Sequence, residues 1–396
     1  MEWAFCKGDQ SSWVMIPLKD KGGFMEFLPE KKLGFGLMRL PRNNPNDAAD
    51  IDVEQVKQMV DLFIERGFTY FDTAWMYMGF NSEKVAGEAL VSRHPRDTFT
   101  LSTKLHVDFV ETKEDRDRIF NEQLSKTGAG YFDYYLLHAI EAGKYEKYEA
   151  LDCFTWLAEK KAQGLVKHMG FSFHDTPELL DQILREHPEM EFVQLQLNYL
   201  DWESESVQSR ACYEVARAHD KPVIVMEPVK GGTLASLPET AENMFLNHDP
   251  SASIPSWAVR FAASLPGVMM VLSGMSDLAQ LDNNTSYMKE FVPLTEEETD
   301  MCFRAAGIIN GQITIPCTSC HYCTEGCPMQ ICIPEYFALY NEAKREGGAC
   351  QKDAYAALGA DHGAASVCIA CGQCENACPQ HLPIIETLQD VALTFE

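Results

Sequence analysis

Tyr131-Phe-Asp-Tyr-Tyr-Leu-Leu-His138 is a short, β-rich apolar run. The segment 147–163 follows it with apolar residues at three and four spacing, and 166–172 is again strand-like. Strand, helix, strand in that order is the unit of a parallel sheet. Outward from this unit the same alternation continues. Strand candidates are 33–40, 69–74, 99–105, 192–198, 222–228 and 268–274, and helix-period segments are 53–66, 113–126, 176–187, 204–219 and 255–265. Eight strands, most followed by a helical segment, over about 260 residues match a (β/α)8 TIM barrel. A doubly wound open sheet also alternates, but no G-x-G-x-x-G follows the first strand.

A chain of 396 residues leaves some eighty beyond such a barrel. They hold one spacing twice, C-x2-C-x2-C-x3-C-P, at Cys317, Cys320, Cys323, Cys327-Pro328 and at Cys368, Cys371, Cys374, Cys378-Pro379. That is the signature of two [4Fe-4S] clusters, in which three cysteines of a run share one cluster and the fourth serves the other. The expected sets are Cys317, Cys320, Cys323 and Cys378, and Cys368, Cys371, Cys374 and Cys327. Zinc ribbons use separated C-x2-C pairs, and disulfide frameworks lack the paired Cys-Pro endings. The motif defines ligation, so the clusters are either carriers of single electrons or a structural device. Between the runs, 328–367 has helix-period sequence at Tyr336–Ala343 and Ala354–Leu358, which points to a mainly helical dicluster ferredoxin-like domain; Gly347, Gly348 and Gly359 would end helices. His321 stands beside a complete cysteine set and reads as a neighbour, not a ligand. The resulting division is 1–24 as an N-terminal extension without clear periodicity, 25–292 as the barrel and 293–396 as the cluster domain.

Of 14 cysteines, Cys6, Cys153, Cys212, Cys302, Cys332 and Cys350 are scattered, as expected of reduced, buried thiols in a cytoplasmic protein. No stretch has the length and apolarity of a membrane span, and the N-terminus lacks the order of a signal peptide. A formal net charge of −26 argues against nucleic acid or an anionic membrane as partner and is compatible with a basic redox protein.

In barrels of this kind the chemistry sits at the C-terminal ends of the strands. There the second, third and fourth strands supply Asp72 with Tyr77 just beyond it, then Lys104, then His138. Each alone has an ordinary explanation as a turn cap, a packed ring, a solvated amine or a core histidine. Together they form an acid–base set: a phenol is a poor acid at neutral pH unless a nearby ammonium favours its anion, which Lys104 would do while Asp72 orients it. His138 would donate to a carbonyl oxygen. His106 and His174, just past strand ends, would line the pocket.

With Phe71-Asp72-Thr73-Ala74…Tyr77, Leu136-Leu137-His138, Gly170-Phe171-Ser172, Gln194-Leu-Gln-Leu-Asn198 and Ser273-Gly274-Met275…Asn284, the chain resembles an aldo/keto reductase of the branch with a C-terminal 4Fe-4S module. The resemblance runs from about Leu33 to the last cysteine. It implies an oxidoreductase in which Tyr77 is the proton donor, Lys104 and Asp72 tune it, and His138 orients a carbonyl or alcohol substrate. It also implies that Ser172 and Gln194 hold the carboxamide of NAD(H) or NADP(H), that Asn284 lies near its adenine end, and that Asn198, Glu227 and Gly274 belong to the same cofactor side. Gly274 and Gln280 replace two cations that would pair a 2′-phosphate, Phe173 replaces an Asn, and Glu227 stands where an aromatic residue would stack on the nicotinamide. These departures argue against an NADPH preference. No flavin motif is present to split an electron pair between hydride and cluster. Besides the enzyme, the features admit an electron-transfer subunit or redox sensor whose barrel is a binding scaffold, or an NADH oxidase whose electrons leave through the clusters to a ferredoxin-type partner.

Overall fold

The computed structural model describes residues 3–7, 13–17, 31–44, 47–311, 314–346 and 349–396. Within the N-terminal extension, β1 (Trp3–Lys7) and β2 (Trp13–Pro17) pair antiparallel; the rest of 1–24 lies outside the described residues. The eight apolar runs become eight parallel strands: β3 (Leu33–Gly36), β4 (Tyr70–Asp72), β5 (Thr100–Leu105), β6 (Phe132–Ile140), β7 (Val166–Phe173), β8 (Phe192–Gln196), β9 (Val223–Met226) and β10 (Val268–Gly274). Each pairs with its neighbour in sequence, and β10 returns to β3 with Gly274 opposite Gly36, closing the barrel. This is a TIM barrel.

Strand periodicity explains what stands at its mouth. Successive side chains on a strand alternate sides, so residues two apart share a face. The barrel interior is packed by a cluster that includes Tyr70, Tyr134, Leu136, Phe192, Ile224 and Leu272. Two residues further along, Asp72 follows Tyr70, His138 follows Leu136, Gln194 follows Phe192 and Met226 follows Ile224. An apolar floor thus passes into a polar rim without any change of register.

Helices cover the outside, and local signals set their ends. Asp52 caps Val53–Glu65 by accepting from Gln55 N–H, and Lys113–Thr127 has a Thr112/Asp115 capping box and stops at Gly128 with φ +66°. The segment 147–163, expected as one helix, is two, Ala142–Ala150 and Cys153–Ala162, because Asp152 between them is left-handed at φ +50°. The helix Glu296–Asn310 places Met301, Cys302, Ala305 and Ile309 in the barrel's core, so barrel packing extends past residue 292.

The C-terminal region is mainly helical, with Ile333–Glu346, Ala349–Leu358 and Ile384–Phe395 around a separate core that includes Tyr336, Phe337, Leu388 and Val391. Ala349–Leu358 ends before Gly359, as expected, while Gly347 and Gly348 lie outside the described residues. The two cysteine runs are backbone copies. Ser319 and Ala370 are left-handed at φ +51° and +53°, His321 and Gly372 at +64° and +77°, Gln330 and His381 at +53° and +51°. Each run then starts a one-turn helix, Tyr322–Glu325 and Gln373–Asn376. Cys153, Cys212, Cys302 and Cys332 are buried and free, as expected; the side chains of Cys6 and Cys350 lie outside the described residues.

Candidate active site

Asp72, Lys104 and His138 meet at the C-terminal mouth of the barrel. Lys104 is fully buried, and its Nζ donates to Asp72 Oδ1 at 2.5 Å and to Thr73 O at 2.8 Å. Burial pushes the Asp72 carboxyl up and the Lys104 ammonium down, and each partly offsets this for the other. Lys104 Nζ lies 4.9 Å from the centre of the Tyr77 ring, and that ring meets the His138 imidazole edge-on at 5.7 Å. Tyr77 opens a tight turn in which Met78 and Gly79 are both left-handed, which fixes where its side chain points. His138 is held from behind: Tyr148 Oη accepts from the N–H of His138 (3.0 Å) and of Val107 (3.1 Å), and lies 2.8 Å from the carbonyls of Leu105 and His138.

The electrostatics differ from the sequence expectation in one respect. Lys104 was to favour the Tyr77 anion. Instead burial, then the neighbouring Tyr322 and Asp72, raise the Tyr77 pKa well above its ordinary value. The reason is that desolvation of the phenolate outweighs an ammonium already paired with Asp72. Tyr77 therefore stays protonated. Burial also holds His138 neutral, assisted by His106 and Lys104, and its buried Nδ1 has no hydrogen-bond partner.

Several contributors were not legible in the sequence. Glu83 is buried beside Lys104, its Oε1 accepting from Thr103 Oγ1 and Gln123 Nε2, both at 2.6 Å. The more consequential one is Tyr322, from inside the first cysteine run. Tyr322 lies beside the Tyr77 phenol, and its presence adds to the rise of the Tyr77 pKa. A cavity of about 460 Å³ opens next to them, walled by His106, His138, His174 and Tyr322 from one side and by Gln373 and Cys378 of the second run from the other. Tyr77 is not on its wall; Tyr322 is. His106 and His174 do line the pocket. A larger cavity of about 1210 Å³ lies between the loop after β8 and Glu296–Asn310, and none of the four acid–base residues touches it. The smaller one is the candidate site.

On the cofactor side, most of the expected residues are engaged with the protein itself. Ser172 Oγ accepts from Ala139 N–H (2.7 Å). Asn198 Nδ2 donates to Asp201 Oδ2 (2.8 Å) and Glu227 O (3.0 Å). Asn284 bonds Ser273 Oγ (2.9 Å) and accepts from Tyr287 Oη (2.7 Å). Gln194 keeps a buried Oε1 without a partner, and its Nε2 faces Met226 Sδ at 3.4 Å. Met226 is thus the β9 side chain that faces Gln194. Glu227, expected against the nicotinamide, has φ +54° and turns its carboxylate to Arg39 Nη2 (3.3 Å) and Gly231 N–H (2.6 Å).

In the module, Cys317, Cys320, Cys323 and Cys378 line one enclosed cavity, bringing together residues 61 positions apart in sequence. Cys368 and Cys374 are mutual neighbours, and Gly326, next to Cys327, abuts Gln373, next to Cys374. Among the described residues no three His, Cys, Asp or Glu side chains gather tightly enough for a single metal ion. Cysteines ringing a cavity suit a polynuclear cluster better than zinc.

Residues 32–306 match the aldo/keto reductase family, and residues 316–382 match the 4Fe-4S dicluster domain. The chain belongs to the aldo/keto reductase family and is an oxidoreductase carrying a C-terminal iron–sulfur domain. A Bacillus subtilis (strain 168) protein described as an uncharacterized oxidoreductase, YqkF, is 24% identical over 272 residues, covering 61% of this chain and 84% of its own. Among solved structures, the holo form of aldo-keto reductase AKR11C1 from Bacillus halodurans superposes with a TM-score of 0.55 at 22% identity, covering 77% of this chain and 96% of that one. A Klebsiella pneumoniae aldo-keto reductase in complex with NADPH gives 0.55 at 18%, covering 77% and 95%. These likenesses establish the fold. Among the described residues no helix is long and apolar enough to cross a membrane.

Proposed function

We propose that this chain is an iron–sulfur oxidoreductase that interconverts a small carbonyl compound and its alcohol, with Tyr77 as the source of the proton on oxygen. One observation carries the reading: a buried Asp72–Lys104–Tyr77–His138 set adjoins a cavity roofed by both cysteine runs. Cys317, Cys320, Cys323 and Cys378 hold one [4Fe-4S] cluster, and Cys368, Cys371, Cys374 and Cys327 the other. When bound, such clusters supply or accept single electrons.

The rest is the work of the chain's own side chains. His138, neutral and with an unpaired ring nitrogen, orients the substrate oxygen. Tyr77 holds its proton at any physiological pH, so only a strong base such as a developing alkoxide draws it off. Because Tyr322 stands on the cavity wall and next to Tyr77, the proton passes from Tyr77 to Tyr322 while Tyr322 gives its own to the substrate. Lys104 lies against the Tyr77 ring and offsets the negative charge left behind, and Asp72 keeps Lys104 in place. Reduction of C=O to CH–OH takes two electrons and two protons. The electrons come singly from a reduced electron-transfer protein of the ferredoxin class, and the proton on carbon comes from solvent in the cavity. A nicotinamide is the other conceivable source, since Klebsiella relatives were solved with NADPH and with NADP; the cofactor side here offers it one free acceptor, Gln194 Oε1.

The test is anaerobic. Holo protein photoreduced without nucleotide is mixed with a panel of small aldehydes and ketones, and the return of visible cluster absorbance is compared with the alcohol formed. The reading expects one alcohol per two electrons, and Tyr77→Phe should retain cluster reduction while losing the alcohol. Equal product from wild type and Tyr77→Phe would remove Tyr77 from the chemistry.

A further inference from the structure

We propose that the dinucleotide trough of this barrel is closed by the chain's own first cysteine run, so that the protein binds neither NADH nor NADPH. The inference rests on the reading above, in which electrons arrive through the module, and it goes further by excluding the family's usual reductant.

The closure is built around Arg39. Its Nη2 donates to Glu227 Oε1 (3.3 Å) and Thr318 O (3.1 Å), and its Nη1 to Ser319 O (3.3 Å). One guanidinium thus joins the loop after β3, the residue after β9 and the backbone between Cys317 and Cys320. The same side chain lies along Gly274, where a Cβ would stand 3.2 Å from Arg39 Cδ. Thr318, itself buried, comes so near Gly231 that a Cβ there would fall 2.0 Å from Thr318 O. Beyond it Tyr322 takes the ground over Tyr77. The run therefore lies over the mouth from Glu227 and Gly231 to Tyr77, with Arg39 linking it toward Gly274, which stays exposed.

What lies beneath is already bonded. Of the six cofactor positions, Ser172, Asn198, Glu227 and Asn284 have protein partners for their polar groups, Gly274 stays exposed with Arg39 alongside it, and Gln194 keeps a free acceptor. Charge acts in the same direction. A dinucleotide brings a doubly charged pyrophosphate, and on the cofactor side Glu227 adds a carboxylate of the same sign that already claims the Gly231 amide. Arg39, the cation within reach, is spent on that carboxylate and on two carbonyls. Gln280, where a cation would be needed for a 2′-phosphate, caps its own helix with Asp277 and Ser276.

The decisive experiment is equilibrium binding of NADH and of NADPH to the anaerobic holo protein, by calorimetry and by tryptophan fluorescence, with hydrogen exchange followed across 316–323. No saturation up to millimolar nucleotide and no change in exchange are expected. Saturable binding of either nucleotide at one per chain, with altered exchange in 316–323, would overturn the closure. The two proposals fail separately. Nucleotide binding alongside one-electron-driven carbonyl reduction removes the closed trough and leaves the acid–base reading standing. Absence of binding together with absence of one-electron-driven turnover removes that reading and leaves the trough closed.

Discussion

Gln196 at the end of β8 and Gln380, two residues past Cys378, exchange hydrogen bonds in both directions. Gln196 Nε2 donates to Gln380 Oε1 at 2.9 Å, and Gln380 Nε2 donates to Gln196 Oε1 at 2.7 Å. The pair is buried and continues into the Lys230–Asp201 ion pair, since Lys230 Nζ also reaches Gln380 Oε1 at 3.2 Å. Two carboxamides facing each other satisfy both groups only at one separation and one tilt, so this contact sets how the module sits on the barrel.

Truncating it gives the first prediction. Gln380→Ala leaves the Gln196 amide and Lys230 each short of a buried partner, at a cost of roughly 1–3 kcal/mol. Amide exchange should rise across 316–382 by a corresponding factor of about five or more while the barrel strands stay protected. Unchanged exchange in the module would show that the pair does not govern docking.

The Asp72–Lys104 pair is predicted to behave as a unit. Lys104→Met strands a buried carboxylate and should lower barrel stability by about 3–5 kcal/mol, whereas Lys104→Met combined with Asp72→Leu should recover most of that loss. Urea unfolding followed by tryptophan fluorescence reads both. A double variant no more stable than the single one would contradict the account.

Tyr77 and Tyr322 are predicted to lie on one proton path. Tyr77→Phe and Tyr322→Phe should each lower turnover by about 10²–10⁴-fold, the range for loss of a general acid. The double variant should fall no further, because both changes break the same path. Multiplying losses in the double variant would mean the two hydroxyls act independently.

Acid should destabilise the barrel mouth. Burial lowers the pKa of His106 to about 4, with Asp108 opposing and Lys144 and Lys147 adding to the shift, and holds His138 well below an ordinary histidine. Both are neutral in the fold, whereas the unfolded chain takes up protons near the usual value of about 6.5. Stability is therefore complete above about pH 6.5 and is lost as pH falls toward about 4, with a slope of about 1.4 kcal/mol per pH unit for each histidine. Anaerobic urea midpoints at several values in this window measure it, and His106→Gln should flatten the slope.

The eight strands were legible because burial between helices leaves a simple trace, a short apolar run between helix-period segments. Asp72, Lys104 and His138 were legible as polar interruptions at the ends of such runs. Tyr322 was not, since inside C-x2-C-x2-C any residue reads as a spacer, and its closeness to Tyr77 exists only once the module is docked. Arg39 was hidden for a related reason: it falls within the run read as the first strand, which ends at Gly36. The Tyr77 shift was misjudged because a sequence displays charges but not the desolvation that outweighs them. Glu227 was set against the cofactor by its position, whereas the alternation of β9 turns Met226 toward Gln194.

The roof over the cavity also fixes an order of events in the life of the chain. Tyr77 and His138 are made long before Tyr322 and Cys378, so a barrel leaving the ribosome has its acid–base residues in place under an open sky. Only when both cysteine runs have been synthesised can the cover settle. Until then the phenol and imidazole stand open to cellular aldehydes, and the cover closes that window only after the last residues of the second run are made.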